Sequence, residues 1–167
     1  MSLLASLSSC EANVDALVEV VAPQLAITAM KNHPQCENIQ ELGLALLGNV
    51  AESDDKHLDI VMGLGALELA VSVMKKFPKS AGVQERGLDA MWFMAESGRY
   101  ADAVVAAGAV DLATSALEAE YTHPGVQESA LNVLCNIVSC DRQLDMGAEA
   151  ARVVMRKGQP VAISTCC

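Results

Sequence analysis

Aromatic side chains are nearly missing from this chain: one Trp, two Tyr and two Phe among 167 residues, although 52% of the residues are hydrophobic. A core with so few rings has to be filled by Ala, Val, Leu and Met. Those small and medium side chains suit closely packed helices, whereas strands bring more aromatic and β-branched residues. Positive charge is scarce too. Against 21 acidic residues stand 11 basic ones, a formal net charge of −10. Phosphate binding needs a basic surface, so nucleic acid and an anionic membrane face are excluded as natural partners. A basic peptide or protein face is the complement of such a chain.

Other absences narrow the reading further. Cys10, Cys36, Cys135, Cys140, Cys166 and Cys167 form no C-x-x-C pair and have no His at metal-ligand spacing, so no metal or cofactor is expected. There is no N-x-[ST] acceptor, no signal peptide with a basic n-region and no apolar run of about 18 residues. Reduced thiols in a cytoplasmic, or nuclear, protein are the expectation. The one route to a membrane is lipidation of the terminal Cys166-Cys167 pair. His33, His57 and His123 are scattered. The G-x-G at Gly63 and Gly65 lacks both a third Gly and a preceding strand. No grouping of titratable residues suggests catalysis, and the chain is not expected to be an enzyme.

What is present is a repeat. Three segments align without gaps: Ile39 to Ser53 (IQELGLALLGNVAES), Val83 to Ser97 (VQERGLDAMWFMAES) and Val126 to Cys140 (VQESALNVLCNIVSC). Gln40, Gln84 and Gln127 lie 44 and 43 residues apart. Leu25 to Lys31 (LAITAMK), Leu69 to Lys75 (LAVSVMK) and, more loosely, Leu112 to Glu118 (LATSALE) keep the same step. So does a single acid at Asp15, Asp59, Asp102 and Asp145. Within a unit the apolar spacing is helical, as in Val126, Ala130, Leu131, Leu134, Ile137 and Val138. Gly65 and Gly108 interrupt an earlier helix. His33-Pro34, Phe77-Pro78 and His123-Pro124 precede the last helix of each unit.

Each unit therefore reads as a short helix, a bend at Gly, a second helix, a Pro-containing loop and a longer third helix. This period and layout resemble the armadillo repeat, and exclude the periods of about 33 and 34 residues of ankyrin and tetratricopeptide units. HEAT repeats, with two helices and no Gly hinge, are the runner-up. The expected fold is an all-α, right-handed solenoid of about three and a half repeats forming a single domain over 1–167. The units are placed at 14–53, 54–97 and 98–140, with a partial unit at 141–158 and an irregular tail at 159–167.

Positions of the third helix not used for the core fall on one line, because a step of about 3.6 residues stays on one side of a helix. They are Glu41, Ala45, Asn49 and Glu52, then Glu85, Asp89, Phe93 and Glu96, then Glu128, Asn132, Asn136 and Ser139. In the armadillo family the third helices line a concave groove, and an Asn on each often bonds the backbone of an extended peptide. The resemblance gives that role to Asn49 and Asn136, with Phe93 replacing the Asn of the middle unit. The Trp that nuclear-import adaptors of the family carry one turn earlier is replaced by Ala45, Asp89 and Asn132, so their mode of recognition is not implied. Trp92 should point about 100° away from Phe93, which leaves one of the two rings for solvent.

The expected function is a non-catalytic scaffold or adaptor holding an extended, basic peptide or protein segment. Its binding residues would be Asn49, Phe93, Asn136, Asp89, Asn132, Glu52, Glu96 and Arg86. The alternative is a structural or self-assembly module acting through its solenoid ends, as a fragment of a longer repeat protein or as a homo-oligomer joined through uncapped repeat ends, motivated by the incomplete unit after Leu144. Glu41, Glu85 and Glu128 have a structural reading as well, as carboxylates in the first turn of their own helices.

Overall fold

The computed structural model of the protein describes residues 1–19, 21–118 and 123–139. The expected partial unit at 141–158, the tail at 159–167, and Cys140, Asp145, Cys166 and Cys167 lie outside these residues. Among the described residues every regular element is a helix. α1 (Ser2–Ser8) and a 3-10 turn at Glu11–Asn13 lead into α2 (Val14–Glu19), α3 (Ala22–Asn32) and α4 (Glu37–Ser53). Then follow α5 (Asp55–Gly63), α6 (Ala66–Lys76) and α7 (Ala81–Glu96), and α8 (Ala101–Ala106), α9 (Ala109–Glu118) and α10 (Pro124–Ser139). Short, middle and long helices thus recur three times. α4 packs along α7 and α7 along α10, while α1 packs against α4 from the other side. No single helix among the described residues is long and apolar enough to cross a membrane.

The bend between first and second helices needs a left-handed residue. α5 and α6 meet at 64°, with Gly65 at φ 76 and Gly108 at φ 95 in the equivalent turn of the third unit. Glycine enters this region without steric cost. In the first unit the position is held by Val21, at φ 58, where a β-branched side chain is strained. The sequence offers no Gly there, and the turn forms all the same.

Caps place the helix starts. The Asp54 carboxylate accepts from His57 N at 2.7 Å to open α5, and Ser80 Oγ accepts from Val83 N at 3.3 Å to open α7. Pro124 is not a loop breaker like Pro34 and Pro78 but the first residue of α10, where its fixed φ and missing N–H are tolerated. Each third helix also starts earlier than the apolar pattern suggests, at Glu37, Ala81 and Pro124. Glu41, Glu85 and Glu128 are therefore fifth residues, in the second turn, and the expected first-turn role within their own helices does not hold.

Size matching sets the distance between second and third helices. A Cβ on Gly87 would meet Met74 Cγ and Sδ at 2.5 Å, and one on Gly43 would collide with Met30 in the same way. In the third unit Ala130 and Leu117 take the two positions, both buried. Gly48 lies against Ala90 of α7, which lets α4 and α7 approach closely. Leu44, Leu47 and Val50 of α4, Leu88, Met91 and Met94 of α7, and Val133 and Leu134 of α10 form the continuous core.

One polar residue joins that core by design of the repeat. Gln40 is buried and its Nε2 donates to Met30 O at 3.0 Å and His33 O at 2.9 Å. Gln84 repeats this with Met74 O at 2.9 Å and Phe77 O at 3.0 Å. Each amide satisfies carbonyls at the C-terminal end of a second helix that have no partner within the helix, and so fixes the angle of the long helix.

Two substitutions test these assignments. Val21→Gly relieves the left-handed strain and is expected to raise unfolding stability by about 1 kcal/mol, read as a higher urea midpoint at constant slope. Gln84→Leu removes the donor to Met74 O, while Phe77 O keeps Ser80 N, and should cost about 1–3 kcal/mol in the same assay.

Candidate functional site

The three stacked third helices leave one line of side chains part-exposed. Asn49 on α4, Asp89 and Phe93 on α7, and Asn132 and Asn136 on α10 are all half-buried, and Glu52, Arg86, Glu96 and Glu128 are exposed. The stripe sits on the long helices because the opposite sides of those helices are taken by the second helices and the core.

Several of these side chains already hold neighbouring units together. Asn49 Nδ2 donates to Ser8 Oγ at 3.0 Å and Ser9 Oγ at 3.3 Å, at the end of α1. Asn136 Nδ2 donates to Trp92 O of α7 at 3.4 Å. Ser129 Oγ donates to Asp89 Oδ1 at 2.5 Å. Trp92 and Phe93 do not diverge as their helical positions suggest. Both are half-buried, and the rings lean together with centroids 4.8 Å apart and planes at 30°. Stacking brings apolar faces together and makes one aromatic platform at the middle of the stripe.

The acidic residues divide into two groups. Arg86 pairs with Glu85 at 3.4 Å and Asp89 at 3.2 Å, and His123 Nδ1 lies 3.4 Å from Glu85 Oε2. Ser80 Oγ donates to Glu37 Oε1 at 2.5 Å. A Cβ on Gly82 would meet the Glu41 carboxylate at 2.5 Å, and one on Gly125 would collide with that of Glu85. Glu41 and Glu85 thus rest on the first turn of the next unit's long helix, where a carboxylate is favoured by the helix dipole. Glycine leaves the room for it. The helix-end role expected of these acids exists, but across the unit boundary. Glu52, Glu96 and Glu128 are the exposed acids of the stripe.

A cleft of about 420 Å³ opens at the α1 end of the stripe, lined by Ser8, Ser9, Val14, Asn49, Glu52 and Ser53. Behind it lies a polar row on the first helices. Buried His57 has Asp15 Oδ1 at 3.3 Å from Nε2, with Asp54 Oδ1 at 3.2 Å and Ser53 Oγ at 2.9 Å from Nδ1. Asp15, Asp54 and His57 form a group of possible metal ligands. One ligand atom from each lies within 4.8 Å of the others, with Asp15 beside Nε2 and Asp54 beside Nδ1. Ser53, His57 and Asp15 also share the composition of a hydrolytic triad. The Ser53 hydroxyl stands 2.9 Å from both Val50 O and His57 Nδ1, so it links the end of α4 to the ring.

The equivalent acid of the next unit does the same structural work. Asp59 takes Arg99 Nη1 at 2.7 Å and Tyr100 Oη at 2.8 Å. The acid repeated at Asp15 and Asp59 is therefore a tie between successive units. The 44-residue step signals its recurrence, but the changing partner, His in one unit and Arg-Tyr in the next, hides its purpose.

No family model matches the sequence, and neither does any curated protein. Solved structures do. One engineered protein superposes with a TM-score of 0.79 at 21% identity, over 95% of this chain and 64% of its own. A second gives 0.78 at 22%, over 96% and 39%. A designed armadillo repeat protein in complex with the peptide (KR)4 gives 0.73 at 18%, over 89% and 61%. The chain spans less than two thirds of the length of each of these proteins. At such identities the likeness is one of fold: an all-α, armadillo-like repeat solenoid.

The Asp59 tie has a pH signature. The hydrogen bond to Asp59 raises the Tyr100 pKa above its ordinary 10.0, with desolvation adding to it. A folded-state value above the unfolded one means that the bond contributes below the ordinary Tyr range and is lost as pH rises through the raised value. Absorbance titration should show a Tyr ionising late in the parent and absent from Tyr100→Phe. A late-ionising Tyr that persists in Tyr100→Phe contradicts the assignment.

Proposed function

We propose that this armadillo-like solenoid is a non-catalytic protein-binding scaffold that holds an extended segment of another protein along α4, α7 and α10. The observation that carries the reading is the part-exposed line of Asn49, the Trp92–Phe93 platform and Asn136 on three helices packed side by side. A carboxamide donates and accepts at once. While Asn49 Nδ2 holds Ser8 and Ser9, its Oδ1 is the acceptor that a ligand N–H would use. The aromatic platform supplies an apolar anchor at the centre, where interface energy concentrates.

The segment it takes is basic in this reading. Support comes from the net charge of −10 and from exposed Glu52, Glu96 and Glu128, with Glu52 lining the polar cleft at one end. Asp89, Glu85 and Arg86 act mainly on one another, so they shape the surface more than they attract the ligand. The designed armadillo neighbour solved with (KR)4 is a parallel for such binding. Exposed thiols at Cys10 and Cys36 suit a reducing compartment such as the cytoplasm. The self-assembly alternative drew on the partial unit at 141–158, outside the described residues.

Fluorescence anisotropy against a basic peptide library, with (KR)4 included, tests the reading. The best binder is expected to lose at least about tenfold in affinity, roughly 1.4 kcal/mol, in the Asn49→Ala/Phe93→Ala/Asn136→Ala variant, and to weaken with added salt. Equal affinity for parent and variant removes this face as the site.

A further inference from the structure

The first boundary between units is charged unlike the second. At the second, the repeated acid Asp59 meets a fixed cation, Arg99, whose Nη1 stands 2.7 Å from both carboxylate oxygens. On the 44-residue step Asp59 aligns with Asp15, and Arg99 with Asp55. The first boundary therefore carries an acid where the second carries a guanidinium. Among the described residues no Lys or Arg pairs with Asp15 or Asp54. The group that meets both is the His57 imidazole.

That ring has a carboxylate at each nitrogen. Asp15 Oδ1 lies 3.3 Å from Nε2 and Asp54 Oδ1 3.2 Å from Nδ1. An ionised carboxylate accepts and never donates, and a neutral imidazole has a single N–H. One ring nitrogen of the neutral form therefore turns its lone pair toward a carboxylate, and a cation on that nitrogen removes the conflict. The parts are also unequal in freedom. The His57 side chain is only 3% exposed, and Asp54 Oδ1 is committed to the His57 N–H at 2.7 Å. Asp15, 83% exposed, is free to turn about its own side-chain bonds. Zinc holds imidazole nitrogen and carboxylate oxygen at about 2.0–2.2 Å in a tetrahedron, which sets two such ligand atoms roughly 3.3 Å apart. Asp15 and Nε2 already have that spacing.

We propose that His57 and Asp15 bind a divalent transition-metal ion of the zinc type, with Asp54 holding the far side of the ring. The ion bonds Nε2 and the Asp15 carboxylate, and water completes its coordination on the solvent side. Asp54 receives the proton of Nδ1–H in a hydrogen bond, the contact that fixes the tautomer of a ligating histidine. Imidazole beside carboxylate suits zinc-like ions, whereas Mg2+ and Ca2+ take oxygen ligands. Asp15 belongs to α2 and His57 to α5, so the ion clamps the first boundary as Arg99 clamps the second. The donors come from different units, and no spacing motif in the sequence announces them.

Long-range 1H–15N spectra of the histidine rings in the full chain, titrated with zinc chloride, test this. His57 Nε2 is expected to move saturably to the shift of a metal-bound nitrogen, while Nδ1 keeps its proton. Exposed His33 and His123 are the internal references. Half-saturation should need at least about tenfold more Zn2+ in Asp15→Asn, with a smaller rise in Asp54→Asn, which keeps a capping side chain. Excess Zn2+ should also raise the urea midpoint of the parent more than that of Asp15→Asn. Rings of His33 and His123 that move while His57 stays, or equal titrations in parent and Asp15→Asn, overturn the proposal. A His57 ring that keeps protons on both nitrogens in excess Zn2+ overturns it too, and makes a proton the cation of this boundary.

Discussion

Close packing of one long helix upon the next is the constraint on which the rest of this structure depends. α4 meets α7 across Gly48 and Ala90, and α10 carries fully buried Val133 at the position equivalent to Ala90. Where two helices stack this tightly, neither can rotate without expelling a core residue. The buried Gln40 and Gln84 amides then fix each long helix to the carbonyl end of the helix before it. The rotation of α4, α7 and α10 is thereby set, and the line of side chains they expose follows from it.

Polar contacts at the unit boundaries act on the same line. Asp89 is held by Ser129 from the following helix, Glu85 by His123, and Asn136 by a carbonyl of the preceding one. A residue that ties two units together is also pre-oriented, so less ordering is lost when a ligand arrives. The stripe on the long helices and the Asp15 and Asp59 ties on the short ones lie on different helices of each unit. The stack is cross-linked on both.

Much of this was legible in the sequence, because repetition converts a weak local pattern into a strong one. The period, the three-helix unit, the Gly bends at 65 and 108 and the register of Gln40, Gln84 and Gln127 all rest on comparing a unit with its neighbours. What escaped was whatever a single unit does alone. Val21 enters a left-handed turn with no Gly to announce it. Pro124 begins a helix where Pro34 and Pro78 sit in loops. The lean of Trp92 toward Phe93 is a rotamer choice that helical phase does not determine. The Glu41 and Glu85 carboxylates reach forward to Gly82 and Gly125 of the next unit, and their helix phase shows only that they leave the core.

The central claim is that an extended partner segment lies along the long helices. Hydrogen–deuterium exchange of the full chain, with and without a bound basic peptide, measures this directly. Protection confined to the C-terminal halves of α4, α7 and α10 is the predicted result. Protection concentrated on α3, α6 and α9, with the long helices unchanged, would contradict it.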